Sequence, residues 1–399
     1  MPGHAGSQAA PAFRRPARPR SRRRSVSGSI SLLACVPVLL GPGRAPLYGQ
    51  EVSGTVREAE TGRAVEGAIV TLLGADGHEE DAVLTRPDGA FALRASAPGT
   101  FHLRVERIGL ATWESEPMVL ARDERRSVQI DAPVKPVQLP ALGVLAKRQC
   151  KVDRKKGRVA ALLWGEARKA LRATSIGDRD ESLLFRVQRF ERRTDPNLEI
   201  TDERSWREAA RPFQSVSAQE LARAGYVRDD GKSKDYYAPD AEALLSDTFL
   251  ETHCFRLANP RREIGLAKLA HETYTRAESR EVHEGLVGLG FEPVKGGGGS
   301  DVEGVLWLDS ATTRLSHLDF HYTGLELGRE VPTDYLGGRV DFDRLRSGAW
   351  IVRQWFIRMP LLARGWHRRR WVVFLNGYKM DGGVVLGTAR ETPDDDSKE

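Results

Sequence analysis

The first 50 residues contain no aspartate or glutamate, whereas they contain eight arginines, seven of them between Arg14 and Arg24. Without this segment the chain has 53 basic and 55 acidic side chains, a net charge of −2, although the whole chain has a net charge of +6. The basicity therefore belongs to the N-terminal segment. The remaining residues give no electrostatic reason to bind a phosphate backbone, so we expect no nucleic-acid partner.

Cysteine is also scarce, with three residues in a chain of 399. If Cys35 is removed with a leader, Cys150 and Cys254 remain as an even pair, which an oxidising compartment would favour joining. A bridge between them would close a loop of about 100 residues, worth roughly 4–5 kcal/mol in the chain-entropy model. The alternative is a pair of buried free thiols.

Familiar catalytic motifs are missing as well. The sequence has no Gly-x-Ser-x-Gly motif, no phosphate-binding loop and no paired-glycine dinucleotide motif. Gly296–Gly299 is followed by Ser300 but not by lysine and a helix, which is typical of a flexible linker. We therefore predict no catalytic residues and no cofactor. A hydrolase of unrecognised type in residues 150–390 is the alternative.

The order of segments at the N-terminus is that of a secretory signal peptide. The basic run Arg14–Arg24 is followed by the mostly apolar Val26–Leu40 and then by Gly41-Pro42-Gly43. The apolar stretch is about 15 residues long, shorter than the roughly 20 that a membrane helix needs. Residues 1–50 are thus predicted to be a leader of an exported protein of the periplasm or outer membrane, or a secreted one.

Three other interpretations of this segment stay open. Leu32-Leu33-Ala34-Cys35 approximates a lipoprotein box, in which Cys35 would be lipidated, although apolar residues continue beyond it. Ser21-Arg22-Arg23 is similar to part of a twin-arginine signal. The segment could also be a disordered basic tail that is not removed.

Residues 51–133 consist of short alternating segments separated by turn residues. Turn signals recur every 8–14 residues, and Pro87-Asp88-Gly89 is a tight-turn signal in which the glycine can adopt positive φ. No helical period competes with this pattern. It predicts an all-β sandwich.

Four motifs in this stretch carry a family resemblance. They are Gly54-x-Val56, Thr61-Gly62-x-x-Val65-x-Gly67-Ala68-x-Val70, Thr85-x-x-Asp88-Gly89-x-Phe91-x-Leu93 and Gly99-x-Phe101-x-Leu103-x-Val105. In order and spacing they resemble the carboxypeptidase regulatory-like domain, a transthyretin-like sandwich. The resemblance implies an accessory module with a carbohydrate-binding-like fold, found before catalytic domains, outer-membrane receptors and envelope proteins. A fold of this kind does not by itself confer a sugar site.

The family name raises the question of a zinc peptidase, which would need His-x-x-Glu and a further histidine. Glutamate does not occupy the third position after His253, His271, His283 or His317. His78 is followed at that spacing by Asp81 on a glycine-rich turn. His317 and His321 share one face of a predicted strand without a third ligand, which favours a solvated face, so we predict no metal site.

Residues 134–149 follow Pro133, contain Pro136 and Pro140, and are predicted to be an extended linker. Beyond it, helical spacing predicts helices over Gly157–Ala173, Ser217–Ala224 and Pro239–Leu245. Ser217 is the expected N-cap of the second helix, with Glu220 three residues on and Gly225 as its end. Strands are predicted over Phe185–Glu191 and Leu250–Leu257.

From residue 284 onward the pattern is β. Seven strands are predicted: Leu286–Glu292, Val302–Asp309, Arg314–Tyr322, Gly338–Leu345, Ala349–Met359, Trp366–Leu375 and Val384–Ala389. Because connections this short cannot join parallel strands, we expect an antiparallel meander covered by the helices. Its apolar face is predicted to include Trp307, Phe320, Phe342, Trp350, Trp355 and Trp371.

The predicted fold class is thus mainly β with α+β, a seven-stranded-type N-terminal β-sandwich followed by an α+β domain with a long antiparallel sheet. The domain limits are 51–133 for the sandwich and 150–390 for the α+β domain, with an acidic disordered tail at 391–399. Gly304–Thr312, followed by the alternating Leu318, Phe320 and Tyr322, is similar to strand pairs of the outer-membrane lipoprotein carrier fold, which implies a sheet that wraps an acyl chain. The alternative is that its aromatic residues fill a core.

One surface is predicted to bind a partner. Trp366 lies beside the basic run Arg368, Arg369 and Arg370, which could contact anionic lipid head groups or could be a solvated strand end. We expect a non-catalytic binding or scaffold protein of the cell envelope. Its partner would be an envelope protein, a glycan or a lipid, with association with the outer membrane as one form of that role.

Overall fold

The structure is a computed structural model that describes residues 49–133, 158–178, 184–211, 213, 215–229, 234–258, 285–294, 299–327, 331–345, 350–367 and 370–389. The predicted leader before residue 49, the linker 134–149 and the tail 391–399 lie outside these residues. So do Cys35, Cys150, Arg368 and Arg369.

The sandwich contains eight strands in two sheets. They are β1 (Gln50–Glu58), β2 (Ile69–Gly74), β3 (Glu79–Leu84), β4 (Ala90–Ala95), β5 (Gly99–Glu106), β6 (Trp113–Glu114), β7 (Met118–Leu120) and β8 (Arg125–Ala132). One sheet has the order β4-β1-β8, with β1 and β8 parallel. The other has the order β3-β2-β5-β6, and β7 also pairs with β5.

Alternation along these strands builds the core between the two sheets. Its buried members include Val52, Val56, Val70, Leu72, Phe91, Leu93, Phe101, Leu103, Val105 and Ile130. The tight turn before β4 is also as predicted. Gly89 has φ +79°, and a Cβ atom there would lie 2.5 Å from the carbonyl oxygen of Val56, so only glycine fits. The predicted β-sandwich is confirmed.

The second part of the chain is built on one large antiparallel sheet. Nine strands in its described part follow the order β10-β9-β19-β18-β17-β16-β15-β14-β13. They are β9 (Phe185–Thr194), β10 (Ile200–Ala210), β13 (His253–Leu257), β14 (Leu286–Pro293), β15 (Asp301–Asp309), β16 (Leu315–Thr323), β17 (Gly337–Arg344), β18 (Trp350–His367) and β19 (Arg370–Thr388). The fold class, mostly β with a few helices, is confirmed.

Four described helices and a small hairpin accompany this sheet. They are α1 (Arg158–Asp178), α2 (Ala218–Ala224), α3 (Ala241–Leu245), α4 (Asp247–Thr252), β11 (Val227–Asp229) and β12 (Lys234–Tyr236). Ser217 caps α2 by accepting a hydrogen bond from the backbone N–H of Glu220, and the helix ends at Gly225, as predicted. Apolar residues of α1 and α3 share one core with the sheet, and Trp164 packs on Phe255 with ring centroids 5.2 Å apart.

Several element predictions are wrong in detail. The predicted strand Leu250–Leu257 begins instead at His253, because Ser246 caps a short helix, α4, that runs to Thr252. Strand β10 was not predicted. Its residues are exposed on both faces, so the sequence has no apolar alternation there.

Two long strands, β18 and β19, occupy the stretch in which the last three strands were predicted. β18 and β19 pair from Gln354↔Val384 to His367↔Arg370, so the predicted strand Trp366–Leu375 spans a chain reversal. Two of the predicted core tryptophans also lie elsewhere. Trp307 faces away from the helices, into a smaller cluster with Phe356, because its neighbours in β15 face the main core. Trp371 is exposed.

The sandwich packs against α1 through buried ion pairs. The carboxylate of Glu106, at the end of β5, accepts hydrogen bonds from Arg168 and Arg172 of the helix. Glu166 accepts one from the backbone N–H of Gly109 at 2.7 Å and pairs with Lys169 at 2.7 Å. These contacts join the two parts of the chain through charge and hydrogen bonds.

Candidate functional site

The strands β18 and β19 extend past both of their neighbours. The pairing of β17 with β18 ends at Arg358, and the pairing of β9 with β19 ends at Tyr378. From Leu361↔Gly377 to His367↔Arg370 the two strands pair with each other and with no other strand of the described chain. We call residues 361–367 and 370–377 the arm. At about 3.3 Å per residue, seven residues make it roughly 23 Å long.

The base of the arm is defined by a bulge. The register of the two strands shifts between Leu361, opposite Gly377, and Leu362, opposite Leu375. Such an extra residue bends a two-stranded ribbon and strengthens its twist. Gly377 has φ +143°, and a Cβ atom there would lie 2.0 Å from the carbonyl oxygen of Thr194, the last residue of β9. The site where the arm leaves the sheet thus requires glycine.

Two tryptophans dominate the end of the arm. Trp366 and Trp371 are direct cross-strand partners, with ring centroids 5.6 Å apart and planes at 74°. They are 63% and 70% exposed. An edge-to-face pair of this kind contributes about 0.5–1.5 kcal/mol beyond its buried area, which helps to hold a ribbon that has no further strand on either side.

Apolar residues lie on both faces of the arm. Leu362 is exposed and lies four residues before Trp366 in β18, so both side chains are on the same face of the arm. On the other face, Phe374 is also exposed, and a Cβ atom at Gly365 would meet its ring at 2.9 Å, so the aromatic ring covers the glycine diagonally opposite. Large apolar side chains exposed together on two faces are uncommon on a soluble surface and are typical of an interaction site.

The charged residues of the arm's own sequence have one sign. The sequence contains no aspartate or glutamate between Asp343 and Asp381. Arg364 and Arg370 are exposed on the arm itself. Of the surface predicted from sequence, Trp366 and Arg370 both lie at the end of the arm but on opposite faces, and Arg368 and Arg369 lie outside the described residues. Trp371, Leu362 and Phe374 were missed as site residues, and the long acid-free stretch is the signal that could have found them.

The positive charge of Lys379, just inside the base of the arm, is balanced by two carboxylates. Lys379 lies 2.9 Å from the carboxylate of Asp381 and 3.4 Å from that of Glu191. Burial lowers the pKa of Lys379, but the hydrogen bonds and charges of these two carboxylates outweigh it, and the net shift is upward. The uncompensated positive charge therefore begins on the arm.

A cleft of about 680 Å³ lies between α2, α4 and β13, and its polar lining consists of hydroxyl groups, His253 and the charged residues Arg223, Glu251 and Asp301. The ring of His253 is buried, with Nε2 3.1 Å from the carbonyl oxygen of Val302 and Nδ1 3.1 Å from that of Phe249. The hydroxyl of Ser300 accepts from the N–H of Val227 and donates to its carbonyl oxygen. His253 and Ser300 thus contact backbone groups of neighbouring segments, and Nε2 of His253 also lies 3.3 Å from the carboxylate of Asp301.

The two histidines of β16 have different surroundings. His317 is buried, with Nε2 3.4 Å from the carboxylate of Asp319, which also accepts a hydrogen bond from the indole of Trp307. His321 is half-buried, and its Nδ1 lies 3.3 Å from the carbonyl oxygen of Leu336. The expected solvated face is therefore wrong for His317. In the part of the chain that the structure describes, no three His, Cys, Asp or Glu side chains are placed to hold a metal ion.

Cys254 lies on β13 and is buried, while its predicted partner Cys150 lies outside the described residues, so the bridge stays a prediction. The residues of the carrier-like stretch pack internally. Leu318, Phe320 and Tyr322 belong to the main core, and Tyr322 contacts Tyr236 with ring centroids 5.3 Å apart. Within the described helices, none combines the length and apolar character needed to cross a bilayer.

Comparison with known proteins identifies the sandwich. The family model of the carboxypeptidase regulatory-like domain matches residues 51–133. A comparison with curated proteins finds no match. Among solved structures, the chain is similar to 5-hydroxyisourate hydrolase of Klebsiella pneumoniae at 17% identity and TM-score 0.19, over 22% of this chain and 91% of that one.

Two other solved structures are similar over longer stretches. A streptococcal ancillary pilin is 11% identical with TM-score 0.19, over 42% of this chain and 52% of the pilin. A Bacteroides uniformis protein named as a candidate for carbohydrate binding is 8% identical with TM-score 0.19, over 69% of this chain and 96% of that one. At these scores the likenesses carry no functional argument. The family match rests on its own motifs: residues 51–133 of this chain are a carboxypeptidase regulatory-like domain.

Proposed function

We propose that this chain is a non-catalytic binding protein of the cell envelope and that the arm is its recognition element. The observation that carries the proposal is the pair Trp366 and Trp371, which project from the sheet with most of their surface exposed. Exposed aromatic residues are the commonest energetic centres of binding surfaces. The regulatory-like domain fits this role, since it is an accessory module in the proteins that the family resemblance implies.

The contacts within the cleft beside α4 also favour a binding role over a hydrolytic one. A hydrolase needs a nucleophile with a free base beside it. In this cleft His253 and Ser300 both contact backbone groups, so the use of either as a base or a nucleophile would require these contacts to break. These two residues thus help to hold the fold together.

The function is tested by screening the full chain against glycan and lipid arrays and against ester, peptide and glycoside substrates. We expect binding without turnover. The double variant W366A/W371A should lose the bound ligand, while W206A, which removes a tryptophan 47% exposed on β10, should keep it. Turnover that a change at His253 or Ser300 abolishes would contradict the proposal.

We further propose that the chain is exported and that Cys150 and Cys254 form a disulfide. The order of the N-terminal segments and the oxidising compartment that it implies support both. N-terminal sequencing of the cell-derived protein should find residues 1–50 removed. A thiol count on the unreduced, denatured protein should find neither cysteine free. An intact Met1 would refute export, and two free thiols would refute the bridge.

A further inference from the structure

The arm is exposed on two opposite faces, and this limits what can cover it. A protein partner that docks on one side buries one face of a ribbon and leaves the other in water. Here Leu362, Trp366 and Trp371 lie on one face, and Phe374 lies on the other. Both faces are buried at once when the ribbon is surrounded on all sides. This happens when an element inserts shallowly into the interfacial layer of a lipid bilayer.

The aromatic residues at the end of the arm suit this layer. Tryptophan is enriched at the boundary between lipid head groups and acyl chains because its ring is apolar and its indole N–H remains polar. The Trp366–Trp371 pair lies one residue inside the last described pair of the arm, His367↔Arg370. An arm of roughly 23 Å therefore places two indoles at its end, well away from the sheet.

The charge of the arm indicates the sign of the surface. Arg364 lies two residues before Trp366, on the same face of the arm, and Arg370 directly precedes Trp371 in the sequence. No carboxylate lies between Asp343 and Asp381 in the sequence, and the nearest base inside the sheet, Lys379, is already paired. A surface without net negative charge would attract these guanidinium groups only weakly. Anionic lipid head groups would attract them and would add to the apolar attraction.

We propose that the arm docks this protein onto an anionic lipid bilayer surface, with Trp366 and Trp371 inserted at the head-group level and Arg364 and Arg370 at the lipid phosphates. The inference rests on the proposed function, since it names the ligand class of that same recognition element. Its occupant is the membrane surface itself, and glycans and proteins are competing outcomes of the test.

The test uses the full chain and vesicles of phosphatidylcholine with or without 30% phosphatidylglycerol, carrying brominated acyl chains that quench nearby tryptophan. The apolar leader could bind lipid by itself, but residues 1–50 contain no tryptophan, so quenching reports on the folded part. We expect anionic vesicles to quench the tryptophan fluorescence of the unchanged chain. We expect this quenching to be lost in W366A/W371A. W206A serves as the matched control and should quench as the unchanged chain does.

The basic residues are tested separately by titrating the tryptophan quenching with anionic vesicles, because co-sedimentation would also report binding by the leader. Each arginine near an anionic surface is worth about 1 kcal/mol, or roughly fivefold in affinity, so R364Q/R370Q should weaken binding roughly 25-fold. High salt should reduce the affinity of the unchanged chain and have less effect on this variant. All four residues are exposed, so thermal unfolding of the variants should match that of the unchanged chain.

The outcomes separate this inference from the proposed function. Quenching that is the same in the unchanged chain and in both double variants would overturn the membrane-docking role, as would equal quenching with neutral and anionic vesicles. Binding of a glycan or a protein that needs Trp366 and Trp371, without quenching by vesicles, would overturn the inference and leave the proposed function standing. Turnover at another site, with an inert arm, would overturn both.

Discussion

Gly377 occupies the junction at which the arm leaves the sheet, and two separate restrictions meet there. Its backbone has positive φ, and a Cβ atom would collide with the carbonyl oxygen of Thr194. We therefore expect G377A to lower the free energy of unfolding by at least about 2 kcal/mol, since β9 or the bulge must shift.

The matched control is G62A. Gly62 also has positive φ, at +69°, but nothing lies within 4 Å of its added Cβ atom, so only conformational strain of about 1 kcal/mol applies. Urea unfolding of both variants separates strain from collision. Equal losses in the two variants would show that the contact with Thr194 costs nothing.

Asp240 provides a second prediction at this scale. It caps α3 by accepting from the N–H of Ala243, and it also accepts from the N–H of Ser215. Burial raises its pKa above the usual 3.8, in spite of these hydrogen bonds. Because the folded state then holds the proton more tightly than the unfolded state, this group favours folding at low pH. The contribution is lost as the pH rises through and beyond 3.8.

We expect the stability of the unchanged protein, relative to D240N, to be greater at pH 4 than at pH 7. Asparagine keeps one acceptor for Ala243 and does not titrate, so the variant lacks this pH dependence. Chemical unfolding of the two proteins at both pH values measures the difference. A constant difference, or one that grows with pH, would show that burial does not govern this carboxyl group.

At the scale of elements, the junction between β5 and α1 depends on one carboxylate. Glu106 is 2% exposed and holds both Arg168 and Arg172. In E106Q the guanidinium of Arg172 keeps only its more exposed carboxylate partner Glu79, and Arg168 is 40% exposed, so we expect a loss of about 2 kcal/mol in stability. E114Q is the control, because its pair with Arg104 is solvent-exposed and should be worth less than about 1 kcal/mol. Thermal unfolding that ranks the two variants equally would contradict this account.

Elements with a clear pattern could be predicted from the sequence, and elements defined by their neighbours could not. Strands β14 to β17 begin and end within one or two residues of the prediction, because one face of each meets a core. The arm was missed because the predicted strands Ala349–Met359 and Trp366–Leu375 place the chain reversal between them, whereas the structure places it between His367 and Arg370. Alternation also assigned Trp371 to the core, since a sequence does not show how far the neighbouring strands extend.

At the scale of the whole molecule, the candidate site depends on unequal strand lengths within one sheet. β18 and β19 have 18 and 19 residues, whereas β17 has 8 and β9 has 10. The sheet therefore anchors one half of the long hairpin and leaves the other half projecting. A binding surface of this kind can move only as far as its bulged base allows.

The position of β19 in the sheet order also has a consequence for biogenesis. Strand β9, at residues 185–194, has β19, at residues 370–388, as its inner neighbour, so the two must meet across almost 200 residues of chain. All the other neighbouring strands from β13 to β19 are sequential. During synthesis the β9–β10 hairpin emerges early and remains without that neighbour until the C-terminal strand arrives. A chain truncated within β19 would leave this early hairpin detached, which makes the last strand the closing step of assembly.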